Sequence, residues 1–415
     1  MRVSTQTCTF LLAAIILMLT GCGGGGSSTT TTTGATTTAN TTAAITTTAT
    51  TGGTTAARAL PTEVSSALTI PAVIDNYSNP DLPAHFNVAV VQGFDNTPAN
   101  NSLTDTGATL GRVLFYEKQL SANGTVSCAS CHEQANGFTD PDRFSTGFQG
   151  ALTDRNSMSL ANSRFYENGH FFWDERADTL EDQTLIPIQS NVEMGLTLAQ
   201  AVSNIESQPY YSFLFEETFG DSTVTSQRIS LALSQFVRSL MSFQSKYDTG
   251  VANNFANFTA SENRGRGLFF SGRTNCAACH VNSRNNGNQA VFQPSRAINN
   301  GLDGALVNAD NGVGGVTNNQ NQNGLFKVGS LRNIELTAPY MHDGRFVTLA
   351  QVVEHYNSGI QNHPNLDNRL RQGGGAPRRL NLSNQEKQDL VAFMLTLTDD
   401  TYLTEEKFSN PFIAP

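Results

Sequence analysis

Two short stretches, CASCH at 128–132 and CAACH at 276–280, write one pattern twice. Cys-x-x-Cys-His is the attachment signature of c-type haem. Two thiols one helical turn apart reach the two vinyl groups of a porphyrin, and the histidine beside them is presented to the iron. The rival is zinc, since two Cys-x-x-Cys units could pair around one tetrahedral ion. Zinc gives no reason for a histidine directly after each pair, and an exported chain suits haem attachment. The expectation is two covalently bound haem c groups, one on Cys128, Cys131 and His132, the other on Cys276, Cys279 and His280.

A longer repeat accompanies the motifs. GRVLFY (111–116) precedes the first and GRGLFF (265–270) the second. Each resembles the N-terminal helix of a cytochrome c domain, and the period is too long for a solenoid, so this is a duplicated domain. The stretch 225–243 places Ile229, Leu233, Phe236, Val237 and Leu240 on one helix face. A second helix, 383–397, opens with a Ser383/Glu386 capping box and carries a stripe of Leu390, Phe393, Met394 and Leu397. Residues 282–324 are rich in Asn and Gly without a period and are expected to form a long irregular loop. The expected fold is mostly α, with two cytochrome c-like haem domains in tandem over 61–245 and 246–405.

The N-terminus bears on the compartment. Arg2, an apolar run from Phe10 to Leu19 and LTGC at 19–22 read as a signal peptide. LTGC resembles a bacterial lipobox, which implies a leader of residues 1–22 and lipidation of Cys22. Gly23 after the cysteine favours, by resemblance to lipoprotein sorting, anchoring to the outer membrane, facing the periplasm, with lipid as the only membrane contact. Residues 23–57 are nearly all Gly, Ser, Thr and Ala, and a disordered tether is expected over 23–60. Of six cysteines, Cys8 leaves with the leader and none remains for a disulfide. A net charge of -10 argues against nucleic acid as a partner.

Two further stretches are specific. FFWDERADTLEDQTLIPIQSNVEMG (171–195) and FKVGSLRNIELTAPYMHDGRFVTL (326–349) resemble the bacterial di-haem cytochrome c peroxidase and MauG family. The resemblance covers roughly residues 80–400. It implies that the N-terminal haem reacts with hydrogen peroxide and that the C-terminal haem stores and relays electrons. His132 and His280 become the proximal ligands. Trp173, the one tryptophan, matches the residue between the haems, and Gln183, Pro187 and Glu193 match the distal pocket of the reactive haem. Asn156, Thr337 and Pro339 match the ligands of a calcium ion, the last two through backbone carbonyls, oxygen donors that suit a hard cation. A carboxylate such as Glu193 can take a proton from one peroxide oxygen and return it to the other. Arg176 is expected to partner a propionate or the backbone.

Three departures qualify the resemblance. The loop that carries a capping histidine in the peroxidases reads STGFQG (145–150), with Phe148 at that position. Phe cannot ligate iron, and His170 reads as structural, so the reactive haem is expected to be open at rest. The far ligand of the relay haem, a Met in the peroxidases, is Tyr356 here, as in MauG-type enzymes, with Met341 as rival. Leu349, Val352, Val353 and Tyr356 share one helix face, and His355 lies on another. The third departure is DER at 174–176, where the family usually has DGR. The expected function is a di-haem peroxidase fed by a small c-type cytochrome or another protein donor. The alternatives are a MauG-like oxidase of Trp or Tyr on a partner protein and a plain electron-transfer cytochrome.

Overall fold

A computed structural model describes residues 57–281, 290–292, 296–304 and 310–414. The expected leader, Cys22 and the part of the expected tether up to residue 56 lie outside them. Arg58 and Leu60, assigned to the expected tether, are held by the body. Arg58 forms an ion pair with Glu217, its backbone N–H donates to Ala72 O at 2.9 Å, and Leu60 packs on the hydrophobic core.

The body is mostly helical. Six helices position the site: α1 (Asp105–Tyr116), α2 (Leu180–Gln189), α3 (Ser226–Ser239), α4 (Ala260–Phe269), α5 (Leu349–Glu354) and α6 (Asn384–Leu395). Each starts at a Thr or Ser whose hydroxyl accepts a backbone N–H of the first turn: Thr104, Thr179, Thr225, Thr259, Thr348 and Ser383. Such a cap supplies an acceptor to a donor that the helix itself leaves unpaired. The apolar stripes read from the sequence are buried, from Ile229 to Leu240 in one case and from Leu390 to Leu397 in the other. Both helices stop short of the expected bounds, at Ser239 and Leu395.

The repeated glycines explain the packing. α1 lies against α3, and α4 against α6. A Cβ on Gly111 would sit 2.0 Å from Ala232 O, and one on Gly265 would sit 1.8 Å from Asp389 O. At both crossings only glycine lets the backbones approach this closely. The aromatic that follows each glycine repeats its contacts. Phe115 lies 5.2 Å from Phe236 and 6.5 Å from His132; Phe269 lies 5.1 Å from Phe393 and 6.4 Å from His280. Gly111→Ala is therefore expected to lose about 1–3 kcal/mol through overpacking, despite the better helix propensity of alanine. Denaturant unfolding monitored by circular dichroism checks it.

Two main hydrophobic clusters result, one drawn from residues 64–240 and one from 247–397. The chain end returns to the first: Tyr402 and Phe408 are buried there. Tyr116 and Tyr77 donate their hydroxyls to Phe408 O and Lys407 O at 2.8 and 2.6 Å, and Arg112 Nε donates to Ser409 O at 2.7 Å. The loop expected over 282–324 is not wholly irregular. Within its described part, β1 (Ala297–Ile298) pairs antiparallel with β2 (Phe326–Lys327), Ala297 opposite Lys327, and Val313–Thr317 forms a helical turn. No helix among the described residues is long and apolar enough to cross a membrane.

Candidate active site

A cavity of about 940 Å3 is lined by Cys131 and His132 of the first motif and by Cys276 and His280 of the second. Its walls also carry Trp173, Gln183, Pro187, Glu193, Asn156, Thr337, Pro339, Met341 and Tyr356. Side chains read from distant parts of the sequence thus share one space.

The residues fit two haems. His132 Nδ1 lies 2.9 Å from Phe138 O, which holds that nitrogen as the donor and leaves Nε2 for a metal. Burial lowers the pKa of His132 and takes that of His280 to about 4, so both imidazoles are neutral, the ligating form. Burial also pushes the Cys128 thiol up to about 12, and those of Cys131 and Cys276 to about 11. Zinc needs thiolates brought together. Among the described residues no cluster of three or more His, Cys, Asp or Glu that could hold a metal occurs. The two Cys-x-x-Cys units do not pair.

Different side chains stand near each motif. Glu193 lines the cavity on the side of the first motif, near enough to the Cys128 and Cys131 thiols for its charge to add, after burial, to the rise of their pKa values. Its backbone is pinned: Glu193 N donates to Ser190 Oγ at 3.3 Å, and Glu193 O accepts from Phe148 N at 3.0 Å. The Phe148 ring lies against Gly195, where a Cβ would be 2.4 Å from it, and is not part of the cavity wall. Among the described residues the lining histidines are His132, His280 and His342. His170 is absent from the lining, and its Nδ1 lies 3.3 Å from Asp178.

Tyr356 lines the cavity near the second motif; burial pushes its phenol pKa up to about 12, and the nearby Cys279 and Cys276 thiols add to the rise. Leu349, Val352, Val353 and Tyr356 all line the cavity, while His355 turns away and places Nε2 3.1 Å from Asn300 O. Tyr356 sits at the start of a π-helical turn, His355–Gly359, a distortion that recurs at functional sites. Asn300 Nδ2 lies 3.5 Å from Tyr356 Oη and 3.4 Å from Met341 Sδ, so both rival ligands share one neighbour.

Trp173 Nε1 donates to Asn156 O at 2.8 Å. That leaves the Asn156 side chain for another role, and its Nδ2 donates to Asp142 O and Arg143 O at 3.3 Å each. Arg176 pairs with Asp174 at 2.9 Å and stacks on Phe172.

Sequence reasoning missed a second repeat. FFWDERADTL (171–180) and YMHDGRFVTL (340–349) are the same turn. Phe171 bridges Ala177, and Tyr340 bridges Phe346. Phe172 and Glu175 have positive φ of 69° and 57°, and Met341 and Gly344 have 77° and 61°. Thr179 then caps α2 and Thr348 caps α5. The correspondence pairs Trp173 with His342, whose rings lie 6.4 Å apart, edge to face. It also pairs Pro187 with Tyr356 at the same register. Aligning the two stretches would have found it. Nothing in the sequence signalled Lys327. Its backbone N–H donates to Trp173 O at 2.8 Å, its ammonium lies 3.5 Å from the Tyr166 ring centroid, and burial lowers its pKa to about 7.

The comparisons agree with this geometry. The model for di-haem cytochrome c peroxidase matches residues 105–255. The chain is 33% identical over 303 residues to the methylamine utilization protein MauG of Methylophilus methylotrophus, covering 72% of this chain and 84% of that one. It is 32% identical over 323 residues to the cytochrome c551 peroxidase of Nitrosomonas europaea, covering 77% and 85%. A solved MauG-like protein associated with microbial copper homeostasis superposes with a TM-score of 0.66 at 33% identity, over 80% of this chain and 99% of that one. This chain belongs to the di-haem cytochrome c peroxidase and MauG family, and is a c-type di-haem oxidoreductase.

Proposed function

We propose that the protein reduces hydrogen peroxide to water beneath Glu193, with electrons relayed through the haem of the second motif. The observation that supports this reading is that Glu193 and Tyr356 both line the cavity shared by the two motifs, the carboxylate near the thiols of the first and the phenol near those of the second. The haem on Cys128, Cys131 and His132 supplies the redox-active iron. Glu193 takes the proton from one peroxide oxygen and delivers it to the other, and the Gln183 amide orients the bound oxygens. Pro187 and Phe148 offer no ligand. Trp173, held by Asn156 O, lies on the wall shared by both motifs and serves as a stepping stone for electrons.

The finer assignments complete the reading. Each half, 61–245 and 246–405, forms a cytochrome c-like domain with one haem. Calcium binds Asn156 and the carbonyls of Thr337 and Pro339, residues that all line the cavity. Lipid on Cys22 anchors the chain to the outer membrane, facing the periplasm, where a small c-type cytochrome is the donor. The test is the resting ferric protein. One high-spin haem and reaction with peroxide without prior reduction are expected. Two low-spin haems, silent until an electron is added, would mean that another residue caps the iron.

A second reading, a MauG-like oxidase acting on Trp or Tyr of a partner protein, is favoured by Tyr356. A phenolate ligand would lower the potential of the relay haem and hinder its reduction by a cytochrome. Tyr356→Phe is expected to change that haem's spectrum and raise its potential, while Met341→Leu leaves both as they were. Redox titration followed optically separates them, and the reverse pattern would make Met341 the ligand.

A further inference from the structure

The glutamate that replaces glycine in DER occupies a conformation that favours glycine. Glu175 has φ 57°, and its counterpart in the second turn is Gly344 at 61°. A side chain is disfavoured there. What holds Glu175 is a contact that a glycine could not make: its carboxylate accepts the hydroxyl of Tyr166, and Asn168 Nδ2 donates to the same oxygen at 3.3 Å. Tyr166 is fully buried.

The surroundings decide what such a pair can do. Burial, and then the neighbouring charge of Glu175, push the Tyr166 phenol far above its usual range, so it stays protonated. The Lys327 side chain sits on the ring face, and in its protonated form it disfavours leaving a positive charge on the ring. An electron can therefore leave Tyr166 only if the phenolic proton leaves with it, and a carboxylate already accepts that proton. Lys327 also connects the pair to the haem side. Its backbone N–H donates to Trp173 O at 2.8 Å, and its side chain, 3.5 Å from the Tyr166 ring centroid, lines the cavity. One residue thus bridges the tryptophan and the tyrosine.

We infer that Tyr166 and Glu175 form a redox-active pair that holds one oxidising equivalent of peroxide outside the haem cavity. The inference rests on the peroxidase reading above. Tyr166 gives one electron to the peroxide-oxidised centre through Trp173, and its proton passes to Glu175, which becomes a carboxylic acid. The result is a neutral tyrosyl radical. An electron from the donor and the same proton, returned from Glu175, restore the phenol.

The test uses the full-length, haem-loaded protein mixed with hydrogen peroxide and freeze-quenched for electron paramagnetic resonance, with peroxide consumption followed in the same samples. The wild type is expected to show a tyrosyl signal that narrows when its tyrosines are ring-deuterated. Tyr166→Phe should abolish that signal. Glu175→Gly, which restores the unstrained turn and so should fold at least as well, should diminish it severalfold. Peroxide consumption should stay close to wild type in both variants. If peroxide is consumed and the signal is missing, or persists in Tyr166→Phe, or is undiminished in Glu175→Gly, the pair is only a structural clamp on the turn. If the wild type leaves peroxide untouched, the peroxidase reading fails first, and this inference falls with it.

Discussion

Glu193→Gln is expected to slow the reaction of the resting protein with hydrogen peroxide by about 10²-fold or more, the usual contribution of a positioned proton-transfer group. The substitution keeps the shape of the side chain and removes its basicity. The backbone around it gives the chain little freedom to rearrange, being held by Ser190 Oγ on one side and Phe148 N on the other. Gly147 packs so closely beneath that a Cβ there would be 1.6 Å from Val192 O. Haem content and circular dichroism should therefore match wild type. Stopped-flow measurement of the rate against peroxide concentration reads the effect. An unaltered rate would make Glu193 an ordinary acid on the rim of the cavity, and the proton would need another carrier.

Arg332→Met is expected to cost about 3–5 kcal/mol of stability, the range for stranding one partner of a buried ion pair. Arg332 is fully buried and forms a two-point pair with Asp248, at 2.6 and 2.9 Å. Asp248 also accepts from Ser245 N at 2.9 Å, and His85 Nε2 lies 2.8 Å from it, so one carboxylate ties the segment near residue 85 to the second cluster. Burial alone would raise the Asp248 pKa; the Arg332 charge and the hydrogen bonds outweigh it and hold the carboxyl well below its usual range. With the folded value below the unfolded one, this stabilisation is present above the ordinary aspartate pKa and fades as pH falls through the depressed one. The gap between wild type and variant should therefore be widest near neutral pH and narrow in acid. Urea unfolding at several pH values checks it, and a gap that widened in acid would show that the pair is not what Arg332 contributes.

Much of the site could be read before folding was considered, because its chemistry is written in contiguous words. Cys-x-x-Cys-His and the stretch around Trp173 each carry their meaning locally. The repeated Gly–Arg…Phe segment was equally legible, since one glycine at a helix crossing leaves the same mark in both copies. The helix face of Leu349, Val352, Val353 and Tyr356 followed from periodicity alone, and all four line the cavity. The bounds of helices were less legible. Leu240 and Leu397 continue the apolar stripes, but the backbone has left the helix before each, because burial selects for the side chain whatever the local conformation.

What depended on tertiary structure is of another kind. That Asn300 lies between Met341 and Tyr356, or that the chain end folds back onto the first cluster, involves residues far apart in sequence and no local pattern. The role of Lys327 belongs here too. A lysine in FKVGSLRN reads as solvated, and only its packing against Tyr166 and Phe171 takes it out of water and lowers its pKa. Glu175 shows the two levels meeting. The sequence marks it as a departure at a glycine position, but the partner that makes a left-handed glutamate tolerable, Tyr166, comes within reach only when the turn closes. Chemistry carried by neighbouring residues survives in one dimension, whereas desolvation and pairing depend on which distant surfaces the fold brings together.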